Sequence, residues 1–158
     1  MNKEIQYIIT TLQNTLKGEP WYGRPVMAML EEIDASTAYK KPNNNAHSFA
    51  DLLYHIITWA EFTLRRLEGD NEKDDRYFEP LDWRPIDPAV HTWQAGIQQF
   101  NQLNQQIVDI LQTKDDAFLK EIVDYREYNF RFLLHGYIQH NIYHIGQVAY
   151  LKKLLEGS

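Results

Sequence analysis

A chain of 158 residues, 44% hydrophobic and 13% aromatic, is long enough for one well-filled core and too short for two. It contains no cysteine, which rules out disulfides, thiolate metal sites, iron–sulfur clusters and a cysteine nucleophile, so any metal must be held by histidine nitrogen and by oxygen. A formal net charge of −6, with no basic patch interleaved with aromatics, leads to the expectation of no nucleic-acid partner.

The start, Met1 to Tyr7, lacks the apolar run of a signal peptide, and no window has the length of an uncharged transmembrane span. The expectation is a cytoplasmic protein with no membrane partner. Residues 3 to 17 place Ile5, Ile8, Ile9, Leu12 and Leu16 at helical spacing, a first amphipathic helix that Gly18 and Pro20 end. The turn Gly18 to Pro25 carries Trp21 and Tyr22, which are expected to pin it over a core edge. From Pro25 to about Ala38, the positions Val26, Met29, Leu30 and Ile33 predict a short second helix with Pro25 in its first turn.

Lys40 to Asn45 is loop chemistry. Ser48 with Asp51 three residues on resembles a capping box, so a third helix opens near Ser48 and runs to Gly69, with Phe49, Leu52, Ile56, Trp59, Phe62 and Leu67 inward. His55 lies one turn after Asp51. Residues 69 to 88 hold three prolines and a charge run, and read as an irregular segment that crosses the bundle or covers a site, with Trp83 as its anchor. A fourth long helix follows on Val90, Trp93, Ile97, Phe100, Leu103, Ile107, Ile110 and Leu111. Asp115 to Tyr128 is a connector with room for a helical turn, and the last helix runs from about Asn129 to Leu155. Long helices joined by loops, with no strand pattern, define an all-α four-helix bundle with an additional short helix after the first.

The last helix carries the chemistry. Its stripe Leu133, Tyr137, His140, His144, Gln147, Leu151 and Leu154 is the one that packing sends inward, and its middle is two imidazoles and an amide. Histidines four apart stand one turn above the other and can grip a single ion. An isolated pair of this kind is more often two hydrogen-bonded core histidines than a metal site. Two adjacent rings on an inward stripe, however, need something to take up their lone pairs. A divalent metal does that, and imidazole is its commonest protein ligand.

With His47-Ser-Phe-Ala-Asp-Leu-Leu-Tyr-His55-Ile-Ile-Thr-Trp59 on one helix and His135-Gly-Tyr-Ile-Gln-His140-Asn-Ile-Tyr-His144-Ile-Gly-Gln-Val148 on another, the sequence resembles the DinB/YfiT-like superfamily of four-helix-bundle proteins. Gly18 to Gly23 and the Asp82-Trp83 loop extend the resemblance over nearly the whole chain. Where many relatives have Trp-His-Gly in the early turn, this chain has Trp21-Tyr22-Gly23. The resemblance implies a metal triad of His55, His140 and His144. It also implies a divalent ion, zinc or nickel from an all-imidazole set, and a homodimer.

Three imidazoles with remaining positions open make a catalytic type of site, whereas structural zinc is normally closed by four protein ligands. The resemblance, to a family whose members include thiol transferases and proteins classed as hydrolases, implies a metal-dependent transfer of a low-molecular-weight thiol, or a hydrolysis, on a small-molecule substrate. The alternative is a non-enzymatic metal- or ligand-binding bundle that acts through dimerisation in a stress response. Asp51, Tyr143 and Gln147 are the acid/base candidates nearest the triad, and each has a structural use as well: a cap, a packing residue and a hydrogen-bond partner. A second apolar stripe on the last helix, Ile138, Ile142, Ile145 and Ala149, is either intramolecular core or the expected dimer contact, with Gly146 and Ala149 permitting close approach.

Overall fold

The structure, a computed structural model, describes residues 2 to 157. Helix α1, Lys3–Lys17, buries the apolar set its spacing predicts, Ile5, Ile8, Ile9, Leu12 and Leu16. Its own N-cap residue, Asn2, offers no side-chain acceptor; instead Asp116, far along the chain, accepts from the backbone N–H groups of Glu4 at 3.3 Å and Ile5 at 2.9 Å. Helix α2, Val26–Glu31, is shorter than its apolar pattern predicts. Beyond it the chain breaks into turns, yet Ile33 and Ala38 remain buried, so that pattern reports burial rather than helix. The Trp-Tyr turn corrects its expectation, since Trp21 is fully exposed and pins nothing.

Helix α3, Phe49–Glu68, opens on the anticipated capping box: Ser48 accepts from Asp51 N–H, and the Asp51 carboxylate accepts from Ser48 N–H. It closes on Gly69 at φ 73°, a left-handed C-cap that glycine adopts without strain. The segment after it departs from the irregular connection expected there, because residues Asp75–Asp82 form helix α4. Asp74 caps it by accepting from Arg76 N–H at 3.1 Å. Its only buried residue is Phe78, set edge-on to Phe62 of α3 with ring centroids 5.2 Å apart. One inward side chain in eight residues leaves no periodicity to read. The buried Arg66 steers the turn between the two helices by donating to the Asp70 and Lys73 carbonyls.

Helix α5, Trp93–Leu111, starts on Thr92, which accepts from Ala95 N–H, so Val90 falls outside it and is exposed. The connector holds a 3₁₀ turn at Phe118–Lys120 and an isolated antiparallel bridge between Ile122 and Asn129. Helix α6, Phe130–Glu156, is capped by Asn129.

Contacts between elements give a square cross-section. α1 touches α5 and α6, and α3 touches the same two, so α1 and α3 hold opposite corners and α5 and α6 the other pair. The short α2 lies against α1, α5 and α6, and α4 lies against α3. Inside, Tyr137 of α6 donates to Asn104 of α5 at 2.6 Å, a buried polar tie across the core. The second stripe of α6 is part of this interior: Ile138 and Ile145 are buried within the single chain and Ile142 packs on the core. This corrects the idea of that stripe as a subunit contact. The face α6 turns outward carries Phe132, Tyr143 and Tyr150 instead. Among the described residues, no helix is long and apolar enough to cross a membrane.

Candidate metal centre

Where α3 and α6 run side by side, their histidines meet. His55 comes from the middle of α3, and His140 and His144 come from successive turns of α6. One ligand-capable nitrogen from each lies within 4.8 Å of the other two, with His55 Nε2 and His140 Nε2 3.0 Å apart. His55 and His144 are buried and His140 half-buried.

Two of the rings are held in one tautomer by partners behind them. His55 Nδ1 donates to Asp82 Oδ1 at 2.8 Å, a closer contact than the Asp82 carbonyl at 3.3 Å. The same carboxylate oxygen accepts from Trp59 Nε1 at 2.8 Å, which fixes it in place. His144 Nδ1 donates to Gln147 Oε1 at 2.6 Å, one turn along α6. With both Nδ1 protons engaged, Nε2 of His55 and of His144 carries the lone pair, as in the carboxylate–histidine–metal arrangement of known centres, and that of His55 lies within hydrogen-bond reach of His140 Nε2. His140 Nδ1 is buried with no hydrogen-bond partner.

Protonation state agrees. Burial, reinforced by the neighbouring His144 and opposed by Asp82, lowers the His55 pKa to about 4. Burial and the two other imidazoles lower that of His140 to about 3. For His144, burial lowers the pKa against the contrary effect of the Gln147 hydrogen bond. Three neutral imidazoles at neutral pH, packed nitrogen to nitrogen, are the donor set a divalent ion requires. Tetrahedral zinc ligands at the usual bond length would stand about 3.3 Å apart, a small opening of the 3.0 Å contact. The residues therefore fit such an ion.

Trp83, the C-cap of α4, covers the centre. Its ring is sandwiched between His55, at 3.8 Å and 9°, and His47, at 4.0 Å and 12°. It also meets His144 edge-on at 5.9 Å. Thus α4 and its cap deliver both the carboxylate and the indole to the site. Asp82 is the residue that the sequence reasoning passed over as a role-bearing group. Its signal was its place beside Trp83 in a loop that resembles the family, but nothing local showed that its side chain returns to His55.

The candidates near the triad separate. Gln147 bonds to a triad ring. Tyr143 is exposed, with its ring edge-on to His144 at 4.9 Å, and it shares a cleft of about 470 Å³ with His47 and Gln147. Asp51 is occupied by the Ser48 cap and by Lys41 at 3.0 Å. Those contacts hold its carboxyl below the usual range against the opposing and largest influence, burial.

A bundle of four long helices with three converging imidazoles, and no fourth ligand residue grouped with them among the described residues, defines the class: a helical protein with an open metal-type site. Comparison with known proteins makes this specific, since the family model of the DinB superfamily matches residues 24–148. The chain belongs to the DinB superfamily. No curated protein matches its sequence. Among solved structures it is similar to the colibactin self-resistance protein ClbS in complex with a dsDNA, with 16% identity and a TM-score of 0.69, covering 94% of this chain and 95% of that one. That likeness establishes the shared fold. It also corrects the exclusion of nucleic acid drawn from net charge, because a protein of this fold is found bound to double-stranded DNA. Overall charge does not describe the local surface that meets a ligand.

Proposed function

We propose that the chain is a metal-dependent enzyme that uses His55, His140 and His144 to hold one divalent ion, zinc or nickel, and acts on a small-molecule substrate with a thiol or water as nucleophile. The observation that carries this reading is the convergence of three neutral imidazole nitrogens, two of them pre-set by Asp82 and Gln147. When bound at an open three-histidine site, such an ion lowers the pKa of a thiol or water and supplies a nucleophile near neutral pH. The protein's part is positional. Asp82 keeps the proton on His55 Nδ1 and aims Nε2 inward, Trp59 holds that carboxylate, and Gln147 does the same service for His144. Trp83 covers the His55 ring and keeps bulk water from that side. Tyr143, exposed beside His144 and in the same cleft as Gln147, is the candidate for contact with substrate. Asp51 serves as a helix cap.

The test is metal analysis of the purified protein, followed by a screen of low-molecular-weight thiols against a panel of electrophiles, with His140→Ala as control. Thiol conjugation or hydrolysis that depends on added metal and vanishes in the variant is the expected result. Metal binding with no turnover across the panel would favour the non-enzymatic reading, a bundle that acts through association. Double-stranded DNA belongs in the same screen on the strength of the DNA-bound structural neighbour. A salt-dependent mobility shift would place this chain with that reading instead.

A further inference from the structure

On the α3–α6 side of the candidate centre lies a cavity of about 280 Å³ that the metal reading does not use. Its walls come from Trp59 and Phe62 of α3, Tyr128 before α6, and Phe132, Gly136 and His140 of α6. No charged side chain lines it; its one titratable imidazole is that of His140, a triad member. An enclosed apolar cavity of roughly 150 Å³ accommodates one benzene, and this one, larger and open to solvent beside the exposed Phe132, has room for a single ring with a short substituent.

Gly136 is the reason the space exists. It stands one turn before His140 on α6, and helical side chains lean toward the N-terminal turn, so the His140 ring lies over the Gly136 position. A Cβ built on Gly136 would meet no atom within 4 Å. No neighbour needs a glycine there for close approach, and the residue is the poorest helix former after proline. Its effect is to leave an opening beside a metal-ligating residue. Contrast Gly96 of α5, where a Cβ would strike Leu53 at 2.8 Å and a packing reason is plain.

We infer that this cavity is a substrate subsite for a neutral aromatic or compact branched-alkyl group, seated against Trp59 and Phe62 so that the reacting part of the molecule faces the triad at His140. Gly136 is its specificity-determining residue, since any larger side chain there fills it. The inference rests on the metal-enzyme reading for what happens next to the ring, but not for the binding itself. Binding energy from such a non-reacting group orients the substrate. Trp59 also holds Asp82, so the ring would rest on the residue that steadies the His55 partner.

The experiment uses 4-fluorotoluene as probe, followed by ¹⁹F NMR on the full chain, both metal-free and with one equivalent of zinc. Saturable binding is expected in both forms, weakened at least tenfold in Gly136→Leu and several-fold in Phe132→Ala, which removes an outer wall. Both variants should keep the wild-type helical circular dichroism and zinc stoichiometry. In the metal-free protein 4-fluorobenzoate should bind far more weakly, because no cation lines the cavity. Absence of saturable 4-fluorotoluene binding, equal binding by Gly136→Leu and Phe132→Ala, or equal binding of the benzoate to the metal-free protein overturns the inference. Loss of zinc binding with probe binding intact would count against the metal reading alone.

Discussion

Asp82 is the most informative residue to perturb, because two hydrogen bonds converge on one of its oxygens, from His55 Nδ1 and from Trp59 Nε1, each at 2.8 Å. Asp82→Asn keeps an acceptor in place but removes the charge, and a charge-assisted hydrogen bond is about twice as strong as a neutral one. Asp82→Ala leaves the His55 N–H and the Trp59 indole without an acceptor. Loss of a carboxylate behind a metal-bound histidine typically lowers affinity about 10- to 100-fold, or about 1.4–2.7 kcal/mol. The Asn variant belongs at the lower end and the Ala variant at the upper end, held there because the Asp82 side chain is 31% exposed and water can replace part of what is lost. A competition titration of zinc against a chromophoric chelator at neutral pH measures both. Zinc affinity in Asp82→Ala within twofold of the wild type would refute the assigned role of the carboxylate.

Replacing His55, His140 or His144 singly by Ala should weaken zinc binding so that one equivalent is no longer retained without excess metal, since two imidazoles remain; equilibrium dialysis with metal analysis checks each. The pH dependence of the metal-free protein follows from the depressed imidazole pKa values. Each ring binds a proton less readily when folded than when unfolded, where its pKa is about 6.5. Stability is thus full above that value, falls as pH drops through it, and keeps falling toward the folded values of about 4 for His55 and about 3 for His140. Urea melts at pH 7.5, 6 and 5 should show declining midpoints, and constant midpoints would contradict the burial of neutral rings. Gly96→Val should destabilise the fold by about 1–3 kcal/mol through overpacking, because a Cβ at Gly96 already meets Leu53 at 2.8 Å and the Tyr54 ring at 3.1 Å; chemical denaturation reads this directly.

The long helices were legible because each buries a full stripe: α1 and α5 show a clean helical beat, and α3 keeps one although most of its residues are buried. Ser48 and Asp51 placed the start of α3 without need of tertiary information. The histidine cluster was legible in two parts, the pair on α6 from its spacing and His55 only through family resemblance, because nothing local links it to residues 85 and 89 positions away. Helix α4 was hidden because Phe78 is its only buried residue, and its other ties, the Asp74 cap and the bonds of Asp82 to His55 and Trp59, are polar and leave no periodicity. With it went the role of Asp82, which depends on where the end of α4 lands. The misplaced subunit contact has a similar cause. A helix apolar on two faces reads alike whether its second partner is in the same chain or another, and only the burial of Ile138 and Ile145 against this chain's own elements decides.

X-ray absorption spectroscopy on the protein loaded with one equivalent of zinc tests the central claim most directly. The account predicts three imidazole nitrogens at about 2.0–2.1 Å with the remaining coordination filled by light, non-histidine donors, and loss of one imidazole shell contribution in His55→Ala at saturating zinc. A zinc environment with fewer than three imidazoles in the wild type, or one unchanged by His55→Ala, would contradict it.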